Sequence, residues 1–324
     1  MRAAWYEKNG PALEVLKLGE LPDPVPGPGE VRVRLHASAV NPSDVKARAG
    51  GRKVLWKRIV PNSDGAGVID RIGPGVEASR IGARVWVYNA QWERPGGTSA
   101  QYVALPAALA VPLADRLSFD EGACLGIPAM TAHRCLFAEG PIAGKTVLVT
   151  GGAGAVAHYA IQLAKWAGAR VVTTVSSPAK ASHAQAAGAD VIIDYRTENV
   201  VERIRASVGA VDHVVDVDFG GNLPITAQIL RPNGVVASYA SMGDPKPAFP
   251  YYDLFRLNPV IRPVLVYTMS DAAKTQAHAD IARWLKEAKP VFAIAERFPL
   301  AEVVKAHLAV ERGAKIGQVI LTID

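Results

Sequence analysis

The hydrophobic pattern of this chain changes period near residue 120. Before that point the apolar runs are short and separated by Gly and Pro. Residues 30–36 alternate Val31, Val33 and Leu35 against Arg32, Arg34 and His36, which predicts a half-buried strand with a charged face. Residues 21–29 hold four prolines and exclude helix or central strand, because proline lacks the donor and fixes φ. Asn41-Pro42-Ser43-Asp44 opens a loop and short helix. Further short runs at 61–69, 84–88 and 97–103 predict an antiparallel, barrel-like domain. Ser118 with Glu121 then forms a capping box. From there βαβ alternation predicts strands at 146–150, 171–175, 191–194, 213–217, 234–239 and 261–267. Six such runs predict a doubly wound parallel sheet, that is, an α/β Rossmann unit. A long amphipathic helix follows Asp271, and residues 291–324 return to short strands with one helix. The expected division is 1–123 plus 270–324 around an inserted 124–269.

The strand–turn–helix at 146–167 is the sharpest local signal. Gly152-Ala153-Gly154-Ala155-Val156-Ala157 fits G-x-G-x-x-G/A after a strand and at the start of a helix. In that fingerprint the first glycine makes the turn and the second lets backbone approach a pyrophosphate. The third small residue lets helix and strand pack. The helix N-terminus offers free N–H groups to the phosphates. Gly152, Gly154, Ala155 and Val156 are therefore dinucleotide-binding candidates.

An NAD-preferring unit places a carboxylate at the end of its second strand. Here that strand ends in Ser176-Ser177-Pro178-Ala179-Lys180, with two hydroxyls and a cation instead. A lysine is a competent partner for a 2′-phosphate, so the expected cofactor is NADPH. The serines can equally cap the next helix. Tyr195, after the third strand, is placed to cover the adenosine edge.

Composition changes the picture little. The chain has 324 residues, 49% hydrophobic and 20% charged, with a net charge of +6. Its length suits two domains. The cations read as scattered, with no tract of the kind that marks nucleic-acid binding. No run reaches the length of a membrane span, the first residues lack a signal-like apolar region, and cytoplasmic residence is the default expectation. Two cysteines, Cys124 and Cys135, are too few for a disulfide framework or a four-cysteine zinc site. His133 and His158 read as packing residues.

Together these residues resemble the zinc-independent medium-chain dehydrogenase/reductases, in particular the NADPH:quinone oxidoreductases or zeta-crystallin-like proteins. The resemblance spans nearly the whole chain. It rests on Asn41-Pro42-Ser43-Asp44, Ser63-Asp64-Gly65-Ala66-Gly67-Val68, Gly97-Thr98 and residues 125–132. The glycine turn, Gln162-Leu163-Ala164-Lys165, Gly188-Ala189-Asp190 and Gly317-Gln318-Val319-Ile320-Leu321 complete it. It implies that the first domain is GroES-like and that the last strand, near 261–267, pairs with its twin in a homodimer. It also implies that Asn41, Thr131 and Ser238 lie near the cofactor. Tyr267 either reaches the substrate cleft or packs in the core. Zinc-dependent relatives need a cysteine near 41 and a His-Glu pair near 63, where this chain has Asn41 and Ser63-Asp64. Two departures are local. The family's Gly-Gly-Val-Gly is Gly154-Ala155-Val156-Ala157 here, and Lys46 stands where many members carry tyrosine and enone-reducing relatives often carry lysine.

The chemistry this implies is metal-free hydride transfer from NADPH to a quinone. Negative charge develops on the acceptor's oxygen, and the candidate donors are Lys46 and the Asn41 amide. Asp44 either orients Lys46 or caps the helix that starts there. An enone or alkenal double-bond reductase is the alternative, favoured by Lys46. A low-turnover NADPH-binding sensor, structural or RNA-binding protein is the alternative of another class.

Overall fold

Both domains form for the reasons their periodicities give. The computed structural model describes residues 1–313 and 316–324. The chain divides into two compact units, Met1–Ile127 with Phe292–Asp324, and Pro128–Val291.

The first unit is built on a seven-stranded sheet. Its order is Ile294–Pro299, Gln318–Thr322, Glu30–Val40, Asp64–Ile72, Arg84–Val87 and Ala110–Pro112, with Tyr102–Pro106 also paired to Glu30–Val40. Only the first pair is parallel. Glu30–Val40 is the spine, and its register shifts twice against Asp64–Ile72, at bulges that bend the sheet. Val31, Val33, Leu35, Ile69, Val85 and Val103 fill the core beneath it. The predicted charged face of this strand is only partly charged to solvent. Arg32 is buried, bonded to Asp70 at 3.0 and 2.6 Å and lying over the Tyr102 ring at 4.6 Å. The partner acid lies on the neighbouring strand, which the alternation of one strand cannot reveal.

The second unit holds the predicted six-stranded parallel sheet. Its order is Val191–Asp194, Arg170–Val175, Thr146–Val149, Val211–Asp216, Leu230–Ser238 and Val260–Pro263. The order reverses between Thr146–Val149 and Val211–Asp216, the switch point at which such folds bind ligands. Leu148, Val172, Ile193, Val214 and Val236 form its core with Ile204 and Ile229 from two helices.

Two expectations need correction. The last strand ends at Pro263 rather than running to 267, and Val266–Thr268 is a 3-10 turn. Pro263 cannot donate to the ladder, and the amide of Val264 makes the last bond, to Ser238 O at 2.7 Å. The unit boundary falls after Val291, not at 270. The helix Asp271–Glu287 buries Ala277, Ile281, Trp284 and Leu285, and Trp284 meets the Tyr159 ring edge-on at 6.1 Å. On the N-terminal side the chain changes unit within the helix Phe119–Phe137, which breaks at Gly126 (φ −16°, ψ −121°) two residues before Pro128. The capping box of Ser118 and Glu121 is present at its start.

Candidate active site

In the second unit the glycine turn closes as strand Thr146–Val149 passes to helix Ala155–Trp166. The left-handed residue is Gly151 (φ +66°), one position earlier than the fingerprint assigns the turn. Gly152 is required by packing: a Cβ there would lie 2.2 Å from Thr173 Oγ1. The N–H groups of Gly151 and Gly152 are held by Thr174, through its hydroxyl at 3.1 Å and its carbonyl at 2.9 Å. Gly154 is the N-cap, followed by Ala155 and Val156 in the first turn, while Ala157 is fully buried.

Beside the turn, Arg170–Val175 delivers Ser176, Ser177 and Lys180. Lys180 Nζ donates to Ser176 Oγ at 2.9 Å, and Ser177 Oγ caps the helix Pro178–Ala186 by accepting from Lys180 N at 3.4 Å. The cap and a lysine–hydroxyl pair therefore coexist. Tyr195 N donates to Val175 O at 3.1 Å, and its exposed ring borders a cavity of about 570 Å³ with Thr150, Gly151, Thr174, Val217 and Asn222. A dinucleotide fits these features: a cavity at the switch point, free helix-end amides and a lysine where a carboxylate would repel a phosphate. Ser238 ends its strand, donates to Ala240 O at 2.9 Å, and borders a smaller cavity of about 350 Å³ with Phe219, Tyr239, Pro263 and Val264. Thr131 and Tyr267 are buried, the latter in the 3-10 turn.

In the first unit a polar cluster surrounds Asn41. Asn41 N donates to Asp44 Oδ2 at 2.8 Å, so Asp44 caps the helix Pro42–Lys46. No hydrogen bond or ion pair joins Asp44 to Lys46 among the described residues, and Lys46 is exposed. The orienting role considered for Asp44 is thereby replaced by capping. Asn41 Nδ2 donates to Asp64 Oδ2 at 2.7 Å, and Ile127 N donates to the same oxygen at 2.8 Å. Both carboxyls are buried. Burial pushes Asp44 up to about 6, against the Asn41 amide and the Arg52 charge that favour its anion. Burial, and then the charge of Asp44, hold Asp64 well above the usual carboxylate range.

Asp64 and Arg52 belong to this cluster without standing out in the sequence as site residues. Asp64 stands in a quoted motif, but its partners lie 23 and 63 positions away. Arg52 had a signal: Lys46, Arg48, Arg52, Lys53, Lys57 and Arg58 fall within one stretch that contains no acid. The cations are locally clustered, contrary to the scattered reading. Arg48 is buried against Glu311, Arg58 pairs with Glu7, and Arg52 lies over the Trp92 ring at 4.7 Å with Nη1 3.3 Å from Gln91 Oε1. His133 and His158 pack, with Nε2 atoms 2.9 Å from Asp280 Oδ2 and 2.6 Å from Val291 O. Both cysteines are free and buried. Among the described residues no group of three or more His, Cys, Asp or Glu is placed to hold a metal, and no helix is long and apolar enough to cross a membrane.

A βαβ nucleotide unit and a mainly antiparallel sheet domain in one chain are the architecture of a medium-chain dehydrogenase/reductase. Residues 27–115 match the alcohol dehydrogenase GroES-like domain, and residues 155–283 match the zinc-binding dehydrogenase family. Human quinone oxidoreductase is 30% identical over 320 residues, covering 95% of this chain and 93% of that one. The 2-methylene-furan-3-one reductase of Solanum lycopersicum is 32% identical over 276 residues, 80% of this chain and 71% of its own. A mycobacterial protein solved with NADPH superposes with a TM-score of 0.87 at 27% identity, covering 99% and 100% of the two chains. The chain belongs to the quinone oxidoreductase family of zinc-independent medium-chain dehydrogenase/reductases. It is an oxidoreductase that uses NADPH.

Proposed function

We propose that this chain reduces quinones by direct hydride transfer without a metal. The observation that carries the reading is the 30% identity to human quinone oxidoreductase across 95% of the chain; Lys46, an exposed ammonium on the helix that Asp44 caps, serves either acceptor. When bound, NADPH supplies the hydride from C4 of its nicotinamide to an electron-poor π system. Lys180 and Ser176 would hold the 2′-phosphate, the amides of Ala155 and Val156 in the first helical turn would hold the pyrophosphate, and Tyr195 would cover the adenosine edge. Thr131, Ser238 and Tyr267 serve the nicotinamide side. Lys46 stabilises the oxygen on which charge develops and provides a proton to it.

The second reading is an enone or alkenal double-bond reductase with the same cofactor. Lys46 in place of tyrosine favours it, as does the name of the tomato relative. Following nicotinamide absorbance with a quinone panel and an enone panel separates the two. Quinone turnover well above enone turnover supports the first reading, and the reverse supports the second. No turnover with either panel, despite tight NADPH binding, leaves a non-catalytic NADPH-binding protein.

The edge strand Val260–Pro263 has no partner on its outer side among the described residues. Edges are normally covered or paired, and we infer that a second copy pairs there to give a homodimer. A monomeric mass by light scattering at micromolar concentration sinks that inference.

A further inference from the structure

Asp64 Oδ2 accepts two N–H groups, from Asn41 Nδ2 at 2.7 Å and from Ile127 N at 2.8 Å. The backbone amide of Ile127 can only donate, so the shared oxygen accepts from it, and the Asn41 atom facing that oxygen is the amide nitrogen. The break at Gly126 exposes the Ile127 amide to this carboxyl, and space for it exists only because residue 126 is glycine. A Cβ there would lie 2.1–2.5 Å from the three carboxyl atoms of Asp64. The backbone of Asp64 is fixed as well. Thr98 Oγ1 donates to Asp64 O at 2.7 Å, Ser38 and Thr98 hydroxyls meet at 2.7 Å, Asn62 Nδ2 donates to Ser38 Oγ at 3.2 Å, and His307 Nε2 lies 3.1 Å from Asn62 Oδ1.

From this geometry we propose that Asp64 is a positioning residue that acts through Asn41, fixing the amide with its nitrogen toward the buried carboxyl. The inference rests on the reading above that Asn41 serves the reacting end. It also alters that reading. With one N–H committed to Asp64 and the side chain also accepting from the Asp44 backbone in the capping box, the Asn41 amide is held by the fold at both ends. The oxygen that gains charge is then left to Lys46, whose ammonium has three donors.

The test is a double-variant cycle on full-length protein with NADPH and a quinone that the wild type reduces. Asn41→Ala and Asp64→Ala are each expected to lower kcat/KM by about 10²-fold, the scale of a misplaced reacting group. The double variant is expected to fall no further than the lower single one, because both remove the same contact. Asp64→Asn keeps a carbonyl oxygen for both N–H groups and is expected within about threefold of wild type. Gly126→Ala displaces the carboxyl without changing its chemistry and is expected to reproduce the Asn41→Ala loss. It carries the test with Asp64→Asn should Asp64→Ala fail to fold, with NADPH fluorescence and thermal melts reporting folding. Losses that multiply in the double variant, or Asp64→Asn as impaired as Asn41→Ala, overturn the inference alone. Full activity in Asn41→Ala overturns it together with the reading of Asn41.

Discussion

The polar groups at the end of strand Arg170–Val175 and those around Asn41 are organised in opposite ways. Ser176, Ser177 and Lys180 are neutral or cationic, sit within five residues of chain, and pair loosely with one another, the cap bond at 3.4 Å included. Such a set yields its hydrogen bonds to an incoming phosphate at little cost. Asp44 and Asp64 are acids, buried, drawn from distant segments and tied by bonds of 2.7–2.8 Å. That set holds its shape and gives up nothing. On the proposed reading one region binds and the other positions. Variants of the first should move ligand preference, and variants of the second should move geometry or the pH dependence of stability.

Lys46 is the sharpest break in that contrast, being an exposed cation beside the rigid cluster. Lys46→Ala is expected to lower kcat by about 10²–10³-fold, as for loss of a donor to a developing oxyanion. The Kd for NADPH, read by fluorescence titration, should stay put. An unchanged kcat removes Lys46 from the chemistry.

The buried acids come next. Asp44 is raised from 3.8 to about 6, so its proton is bound more tightly in the fold than in the unfolded chain. Its stability contribution is fully present below the unfolded value and is lost as pH rises through about 6. A shift of about two units corresponds to at most about 3 kcal/mol. Asp44→Asn, whose oxygen still accepts from Asn41 N, should therefore match wild type below about pH 4, gain on it between about pH 4 and 6, and keep a constant advantage above that. Asp64 shifts in the same direction and retains its own slope. Parallel melting curves for wild type and variant across pH 4–8 would show that the cluster carries no such cost.

How much of this was legible depends on sequence distance. The sheet of the second unit was readable because each strand carries its own β-branched run and each helix its own period. The glycine turn and the Ser176–Lys180 set were readable because they are contiguous. The end of the last strand was missed because Pro263 stops the ladder while the apolar run continues through Val264 and Val266. The 270 boundary was missed because the hydrophobic face of Asp271–Glu287 does not say which core receives it. The Asn41–Asp64–Ile127 contact was invisible in principle: it exists only after three segments fold together around a break at Gly126.

Lys180 tests the binding side of the comparison. Lys180→Ala removes a charged partner worth about 2 kcal/mol, so the ratio of kcat/KM for NADPH over NADH should fall about thirtyfold, mostly through the NADPH term. A ratio that does not move places the 2′-phosphate elsewhere.

Ser177 gives the smallest effect and the finest distinction. Its hydroxyl accepts from Lys180 N at 3.4 Å, a long bond, so the cap should contribute at the low end of the usual range, about 0.5 kcal/mol. Pro178 at the first helical position already presets the backbone of that turn, which reduces what the cap must supply. Ser177→Ala should therefore lower the melting temperature slightly and leave the NADPH-to-NADH ratio within error, because Ser176 is the hydroxyl that faces the lysine amine. A ratio that falls with Ser177→Ala as far as with Lys180→Ala would make Ser177 a phosphate ligand. It would also show that the cap gives up its bond when the cofactor arrives.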